Sequence, residues 1–206
     1  FIKNMNILFA INQANKFLNA KGIISSRLDC EILLSKVTQS NRSDILLNLD
    51  KELSKKELDH FKNLIEQRSK KKPVAYIIGK KEFWSQDFRV NNSTLIPRPE
   101  SELLIYKLVS YFKNRRINIL DIGTGSGCIL LSLLKELYLS RGIGIDISSR
   151  AVKTAKLNSK KLNLFYRSKF KVVDIDNFNT GRYDLIVSNP PYIASKDMKK
   201  LSKDIL

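Results

Sequence analysis

The sequence predicts an α/β protein in which a parallel sheet wound with helices follows a small helical domain. Three observations carry that expectation. From residue 117 onward, apolar strand-like runs alternate with helical repeats. A glycine-rich loop, Gly123-Thr124-Gly125-Ser126-Gly127, directly follows the first of those runs. A second loop, Asn189-Pro190-Pro191-Tyr192, directly follows the last, Tyr183-Asp184-Leu185-Ile186-Val187-Ser188. Parallel sheets bind ligands outside the carboxyl ends of their strands, and both loops fall there.

The helical domain is expected over residues 1–72. Ile7, Leu8, Ile11, Ala14, Phe17 and Leu18 repeat at helical spacing, with Gly22 as a stop. Leu28, Ile32, Leu33, Leu34 and Val37 mark a second helix, with Ser26 as its cap. Ser54 and Glu57 form a capping-box pattern ahead of Leu58, Phe61, Leu64 and Ile65. No strand pattern is visible in this region. Residues 73–100 read as a β-hairpin and a proline-rich linker. Residues 75–79 and 83–90 are rich in aromatic and β-branched side chains, and Pro97 and Pro99 make the linker stiff. Helical spacing returns over 101–113 through Leu103, Leu104, Leu108 and Phe112. The sheet domain occupies 101–206, with strands expected at 117–122, 142–147, 170–175 and 183–188 and helices at 127–138 and 149–161. Right-handed crossovers then make the sheet parallel.

Composition narrows the classes. The 206 residues carry a net charge of +17 and are 43% hydrophobic, which suits a globular protein. No apolar run is long enough for a membrane span and no secretory signal opens the chain, so a cytoplasmic protein without a membrane partner is expected. The first residue is Phe1 and not Met, which fits a fragment or an odd gene start. The positive charge suits a polyanionic partner. It equally suits a compositional bias, because Lys, Asn and Ile are abundant together and the basic residues are scattered in pairs and triplets. Cys30 and Cys128 lie far apart, and His60 is the only histidine, in a polar helical stretch. These residues offer neither a metal site nor a Cys–His pair. Cys128 opens the helix after the glycine loop, where a lowered thiol pKa competes with simple packing.

The glycine loop permits a tight turn and close approach of a ligand to the backbone. It does not match the dinucleotide pattern, since Cys128 stands at the sixth position, and no Gly-Lys-Ser/Thr is present to make a phosphate-binding P-loop. Asp146 ends the next strand, where a carboxylate accepts from both hydroxyls of a ribose or caps the following helix. Asp174, after the third strand, is placed either to accept from an adenine amino group or to make a turn. Asp121, just before the loop, is placed to organise the turn or to bind a ligand ammonium. A nucleoside is expected, with no evident pyrophosphate cradle, and the glycine loop can hold S-adenosylmethionine.

The Asn-Pro-Pro-Tyr loop supplies what methylation of a planar nitrogen needs. The side-chain oxygen of Asn189 and the backbone carbonyl of Pro190 can accept the two hydrogens of an NH₂ group. Pro190 and Pro191 stiffen the loop, and Tyr192 can stack on the flat group. A proline turn that merely ends a strand is the plain structural alternative.

Together these residues resemble the class I S-adenosylmethionine-dependent methyltransferases with a Rossmann-like sheet, and more narrowly the peptide-chain-release-factor glutamine methyltransferases. Arg27-Leu28-Asp29-Cys30-Glu31-Ile32-Leu33-Leu34 resembles that family's N-terminal helix signature, and Pro73-Val74-Ala75-Tyr76-Ile77-Ile78-Gly79 with Glu82-Phe83-Trp84 resembles its hairpin. Leu95-Ile96-Pro97-Arg98-Pro99-Glu100-Ser101-Glu102 is similar to its linker, with Ser101 in place of Thr. The resemblance implies methyl transfer to the side-chain amide nitrogen (N5) of the Gln in a release factor's Gly-Gly-Gln motif. It implies cofactor contacts at Gly123, Thr124, Gly125, Ser126, Gly127, Asp146, Asp174, Ile175 and Asn189. It implies substrate contacts at Asn189, Pro190, Pro191 and Tyr192, of which Asn189, Pro190 and Tyr192 are catalytic, and docking of the release factor on the N-terminal helices. Such sheets carry further strands after the Asn-Pro-Pro-Tyr loop, so a sheet incomplete at its C-terminus, with an open edge, is expected of a chain ending at Leu206. Two other functions fit parts of the pattern: an amino-methyltransferase acting on adenine or guanine in nucleic acid, and an inactive remnant that only binds cofactor or partner.

Overall fold

The computed structural model describes residues 5–189. Pro190, Pro191 and Tyr192 lie outside the described residues. The chain divides into two units between Ile78 and Gly79.

The first unit is helical. Helices α1 (Ile7–Ala20), α2 (Ser26–Thr38), α3 (Arg42–Leu47) and α4 (Lys55–Ser69) bury Ile7, Ile11, Leu18, Leu33, Leu34, Phe61 and Leu64 in one core. Ser54 and Glu57 form the expected capping box. Ser26 does not cap α2. It is the first helical residue, and its hydroxyl donates to Oδ1 of Asn19 on α1 at 2.8 Å. Much of the signature around Asp29 is scaffolding. Arg68 on α4 pairs with buried Asp29 at 2.7 Å, and Glu31 accepts from Arg27 at 2.8 Å and Arg42 at 2.7 Å. Cys30 between them is fully buried, and burial pushes its thiol up to about 12.

Two further expectations fail in this unit. Strands β1 (Met5–Asn6) and β2 (Glu52–Leu53) pair antiparallel, though no strand pattern marked them. Two residues are too short a segment to show a period. Residues expected as the first hairpin strand instead form helix α5 (Val74–Ile78). The carbonyl of Pro73 accepts from Tyr76 and Ile77, starting a helical turn that buries Ile77 in the helical core. A short apolar run fits strand or helix equally, and burial decides between them.

The second unit opens with the hairpin of β3 (Lys80–Phe83) and β4 (Gln86–Arg89). Its two-residue turn is Trp84-Ser85, both at positive φ (50° and 52°), without glycine. That conformation matches the twist of a hairpin but is strained for large side chains. Two bonds hold Trp84 there: its backbone N–H donates to Glu102 at 2.8 Å and its indole N–H to Glu136 at 2.8 Å. Helix α6 (Ser101–Phe112) carries Glu102, and α7 (Cys128–Glu136) carries Glu136.

The sheet contains β5 (Asn118–Ile122), β6 (Arg141–Asp146), β7 (Ser168–Val172) and β8 (Leu185–Ser188), all parallel, in the order β7-β6-β5-β8. Helix α8 (Ser149–Lys161) crosses from β6 to β7. The strand order reverses at β5, which has β6 on one side and β8 on the other. Among the described residues β8 pairs only with β5. Ile119, Leu130, Leu131, Leu134, Ala155 and Phe170 fill the core, with Phe83 and Phe88 from the hairpin meeting edge to face at 6.2 Å.

One buried amide joins these parts. Asn158 on α8 is fully buried. Its oxygen accepts from the Arg89 N–H at 2.8 Å, and its NH₂ donates to the carbonyls of Arg89 at 3.0 Å and Ser126 at 2.8 Å. Asn158→Ala leaves those groups without partners, and the expected loss is about 3 kcal/mol of stability. Lys156→Ala, at an exposed position of the same helix, should change little. Chemical denaturation of the two variants checks this.

Candidate active site

Strand β5 ends at Ile122, and the chain then turns through the glycine loop. Gly123, Gly125 and Gly127 all have positive φ, at 69°, 55° and 79°. At Gly123 and Gly125 no side chain lies within 4 Å of where a Cβ would stand. Their open side faces a cavity of about 460 Å³ at the carboxyl ends of the strands. Its wall includes Gly123 and Gly125, Asp146 at the end of β6, Asp174 and Ile175 after β7, and Ser188 and Asn189 at the end of β8.

The cavity brings together Gly123, Gly125, Asp146, Asp174, Ile175 and Asn189 from the sequence-predicted set. Thr124, Ser126 and Gly127 sit behind it and hold the turn. Thr124 is buried, its N–H donates to the Ile145 carbonyl at 2.9 Å, and its hydroxyl donates to Asp121 at 2.6 Å. Gly127 lets α7 begin against Ala155 and Phe170, which a Cβ would meet at 3.2 and 3.3 Å. Sequence reasoning passed over Ser93, Leu95, Ile147 and Val173, which also line the cavity. Leu95 belongs to the proline-rich linker, and its apolar side chain there was the available signal. The others sit in turns, where no periodicity marks a wall.

Each acidic residue resolves differently. Asp146 accepts the N–H of Gly125 at 2.9 Å on one oxygen and that of Ser148 at 2.8 Å on the other. Each oxygen keeps a second lone pair for a ligand hydroxyl. The side-chain cap of α8 is Ser148, which accepts from Ala151. Asp174 is exposed and accepts from the Asp176 N–H at 3.1 Å, opening a short 3-10 turn, while it also lines the cavity. Asp121 does not line the cavity. It is buried and anchors Thr124, so organising the turn is the role its contacts describe. Burial raises its carboxyl to about 7, against the Thr124 hydrogen bond that lowers it. Burial likewise pushes the Cys128 thiol up to about 12, so the helix N-terminus does not make it a reactive thiolate.

Asn189 is half-buried at the cavity edge, and its Nδ2 donates to Ser101 Oγ at 3.3 Å, the first residue of α6.

Two family models match the chain: the PrmC N-terminal domain over residues 10–79 and the Methyltransferase small domain over 99–206. The release factor glutamine methyltransferase of Buchnera aphidicola subsp. Schizaphis graminum is 42% identical over 206 residues, covering 98% of this chain and 72% of that protein. The chain belongs to the release factor glutamine methyltransferase family. The member from Leptospira interrogans is 36% identical with the same coverage, 98% of this chain and 72% of that protein. The chain also matches a bifunctional methyltransferase of Rickettsia typhi at 38% identity, over 93% of this chain but only 41% of that protein. The family's cofactor is S-adenosylmethionine. The site fits it on its own terms: an open glycine turn, a carboxylate with lone pairs to spare, and apolar walls at Leu95, Ile145, Ile147, Val173 and Ile175. Ile147 and Ile175 are 74% and 43% exposed, so both are available to pack on a flat base. Among the described residues no helix is long and apolar enough to cross a membrane.

The raised carboxyl of Asp121 makes a prediction with a definite sign. A carboxyl whose folded value lies above its unfolded value near 4 contributes stability below pH ~4 and loses it as pH rises through about 7. The methyltransferase unit should therefore lose up to roughly 4 kcal/mol between those limits. Asp121→Asn keeps an acceptor for Thr124 and removes the charge. The variant should match the parent at pH 4 and be more stable at pH 8, as read by urea denaturation at both pH values.

Proposed function

We propose that this chain carries the methyl-transfer centre for the side-chain amide nitrogen of a glutamine, the Gln of a release factor's Gly-Gly-Gln motif. The names of its relatives support release factors as substrates. The observation that carries the reading is the place of Asn189. It sits at the carboxyl end of β8, on the edge of the cavity that the glycine turn of β5 opens into. Donor and acceptor sites thus meet where the strand order reverses.

Each residue then has a task. Asp146 accepts the ribose hydroxyls with its remaining lone pairs, Asp174 accepts from the adenine amino group, and Ile175 packs on the base. Gly123 and Gly125 let the ligand approach the backbone, and Thr124, Ser126 and Gly127 hold that turn in shape. S-adenosylmethionine, when bound, supplies an electrophilic methyl group. Asn189 and Pro190 accept the two N–H hydrogens of the substrate amide, return lone-pair density to its nitrogen and favour the positive charge that develops there. Pro191 stiffens the loop and Tyr192 stacks on the amide plane. Alignment supplies most of the rate, no strong base is needed before transfer, and the proton that the methylated nitrogen then sheds passes to water. The N-terminal helices dock the release factor.

The test is transfer of labelled methyl from the cofactor to a purified release factor, with a variant carrying Ala in place of the motif Gln and total RNA as parallel acceptors. Label should enter only the intact release factor. Label in RNA, or label that survives loss of the Gln, overturns the reading. No transfer with cofactor binding intact identifies a binding remnant. Asn189→Ala should lower turnover by about 100-fold or more, as loss of a preorganised polar partner does, while S-adenosylhomocysteine affinity changes by less than about threefold, under 0.7 kcal/mol. Equal losses of both would place Asn189 in the cofactor pocket alone.

A further inference from the structure

A second cavity opens at the other end of the sheet. Its volume is about 270 Å³, and it is lined at the amino ends of β5, β6 and β7 and by the loop before β8. Strand lengths put it roughly 15–20 Å from the cofactor cavity. Arg141, Arg167, Lys169 and Arg182 surround it, together with Tyr166 and Tyr183.

Its cations divide into two kinds. Arg167 is committed to the fold. Its guanidinium donates to the carbonyls of Leu134 at 2.6 Å, Ser140 at 3.0 Å and Leu137 at 3.1 Å, closing the C-terminal end of α7. Arg141, Lys169 and Arg182 are exposed and make no ion pair among the described residues. The nearby acid, Asp184, accepts the Asn118 N–H at 2.8 Å and does not line the cavity. The aromatic rings are also of two kinds. Tyr183 is fixed, with its hydroxyl donating to the Thr180 carbonyl at 3.0 Å across Gly181. Gly181 has φ of 96°, and a Cβ there would stand 2.8 Å from the Tyr183 hydroxyl, so only glycine lets the loop fold this way. Tyr166 stands 83% exposed, with Phe165 packed on its ring at 3.9 Å.

We propose that this cleft binds a single-stranded nucleic acid. Three unpaired cations track phosphates, and an exposed tyrosine offers a face for an unpaired base. Duplexes keep their bases stacked and have no use for that face. The site lies at the opposite strand ends from Asn189, so the bound strand is a tether and not a methyl acceptor. It accounts for where part of the +17 charge acts, beyond any compositional bias.

The test uses the whole chain and a fluorescein-labelled single-stranded RNA of ten nucleotides, followed by anisotropy across a salt series. Arg141→Ser, Lys169→Ser and Arg182→Ser together should weaken binding at least tenfold at 0.1 M salt and reduce the salt slope by about 2, the share of three phosphate contacts on a single strand. Lys16→Ser, Lys55→Ser and Lys56→Ser together remove the same charge from the helical unit and should change affinity by less than about twofold if contact and not net charge governs binding. Tyr166→Ser should weaken binding at least about fivefold with the salt slope unchanged. S-adenosylhomocysteine affinity should be unaltered in all three, which separates this outcome from that of the methyl-transfer assay. Equal loss in the two triple variants overturns the proposal, as does competition by polyglutamate or by duplex RNA as strong as that by single-stranded RNA.

Discussion

Everything at the cofactor end depends on the parallel pairing of β5 with both of its neighbours. Ile122 is in register with Ile145 on one side and Ser188 on the other. Three chain segments far apart in sequence therefore end at one level. Parallel strands slipped by one residue would turn their side chains to the opposite face, so burial of Val187 between exposed Ile186 and Ser188 on β8 fixes that level. The chemistry needs no further device to bring the glycine turn and Asn189 together.

The sheet alone does not hold the turn in its shape. Buried polar groups do that. Asp121 fixes Thr124, Asp146 fixes Gly125, and Asn158 fixes Ser126. Each is a long-range or turn-closing bond, and those made by Asp121 and Asn158 lie in the dry interior, where they act against distortion more than their net energy suggests. Preorganisation of the cofactor loop is thus spread over three carbonyl-bearing side chains from β5, β6 and α8. The cost is visible at Asp121, whose carboxyl sits in a place that disfavours its charge.

The parallel sheet, its crossovers and the glycine turn were legible in the sequence because the apolar runs are long and the glycines mark where the first of them ends. Strand ends shifted by up to three residues, as at β7, expected over 170–175 and found at Ser168–Val172. What was illegible had one of two causes. Val74–Ile78 is too short for its period to separate helix from strand, and Met5–Asn6 is too short to have one. Asn158 and Ser101 act through partners 69 and 88 residues away, and nothing local marks a polar residue on a helix as the tie between distant segments. The candidate site residues split in the same way. The loop glycines and Asp146 announced themselves, whereas Ser93 and Val173 matter only because the turns they occupy face the same space.

The hairpin tip has a practical corollary. Trp84 is the sole indole of the chain. It is bound through its ring nitrogen to Glu136 and through its backbone to Glu102. Undocking of the tip would hand that ring to solvent and shift its emission to longer wavelength. The protein therefore carries a native optical gauge of the contact between its hairpin and the helices that flank the cofactor loop, with no label attached.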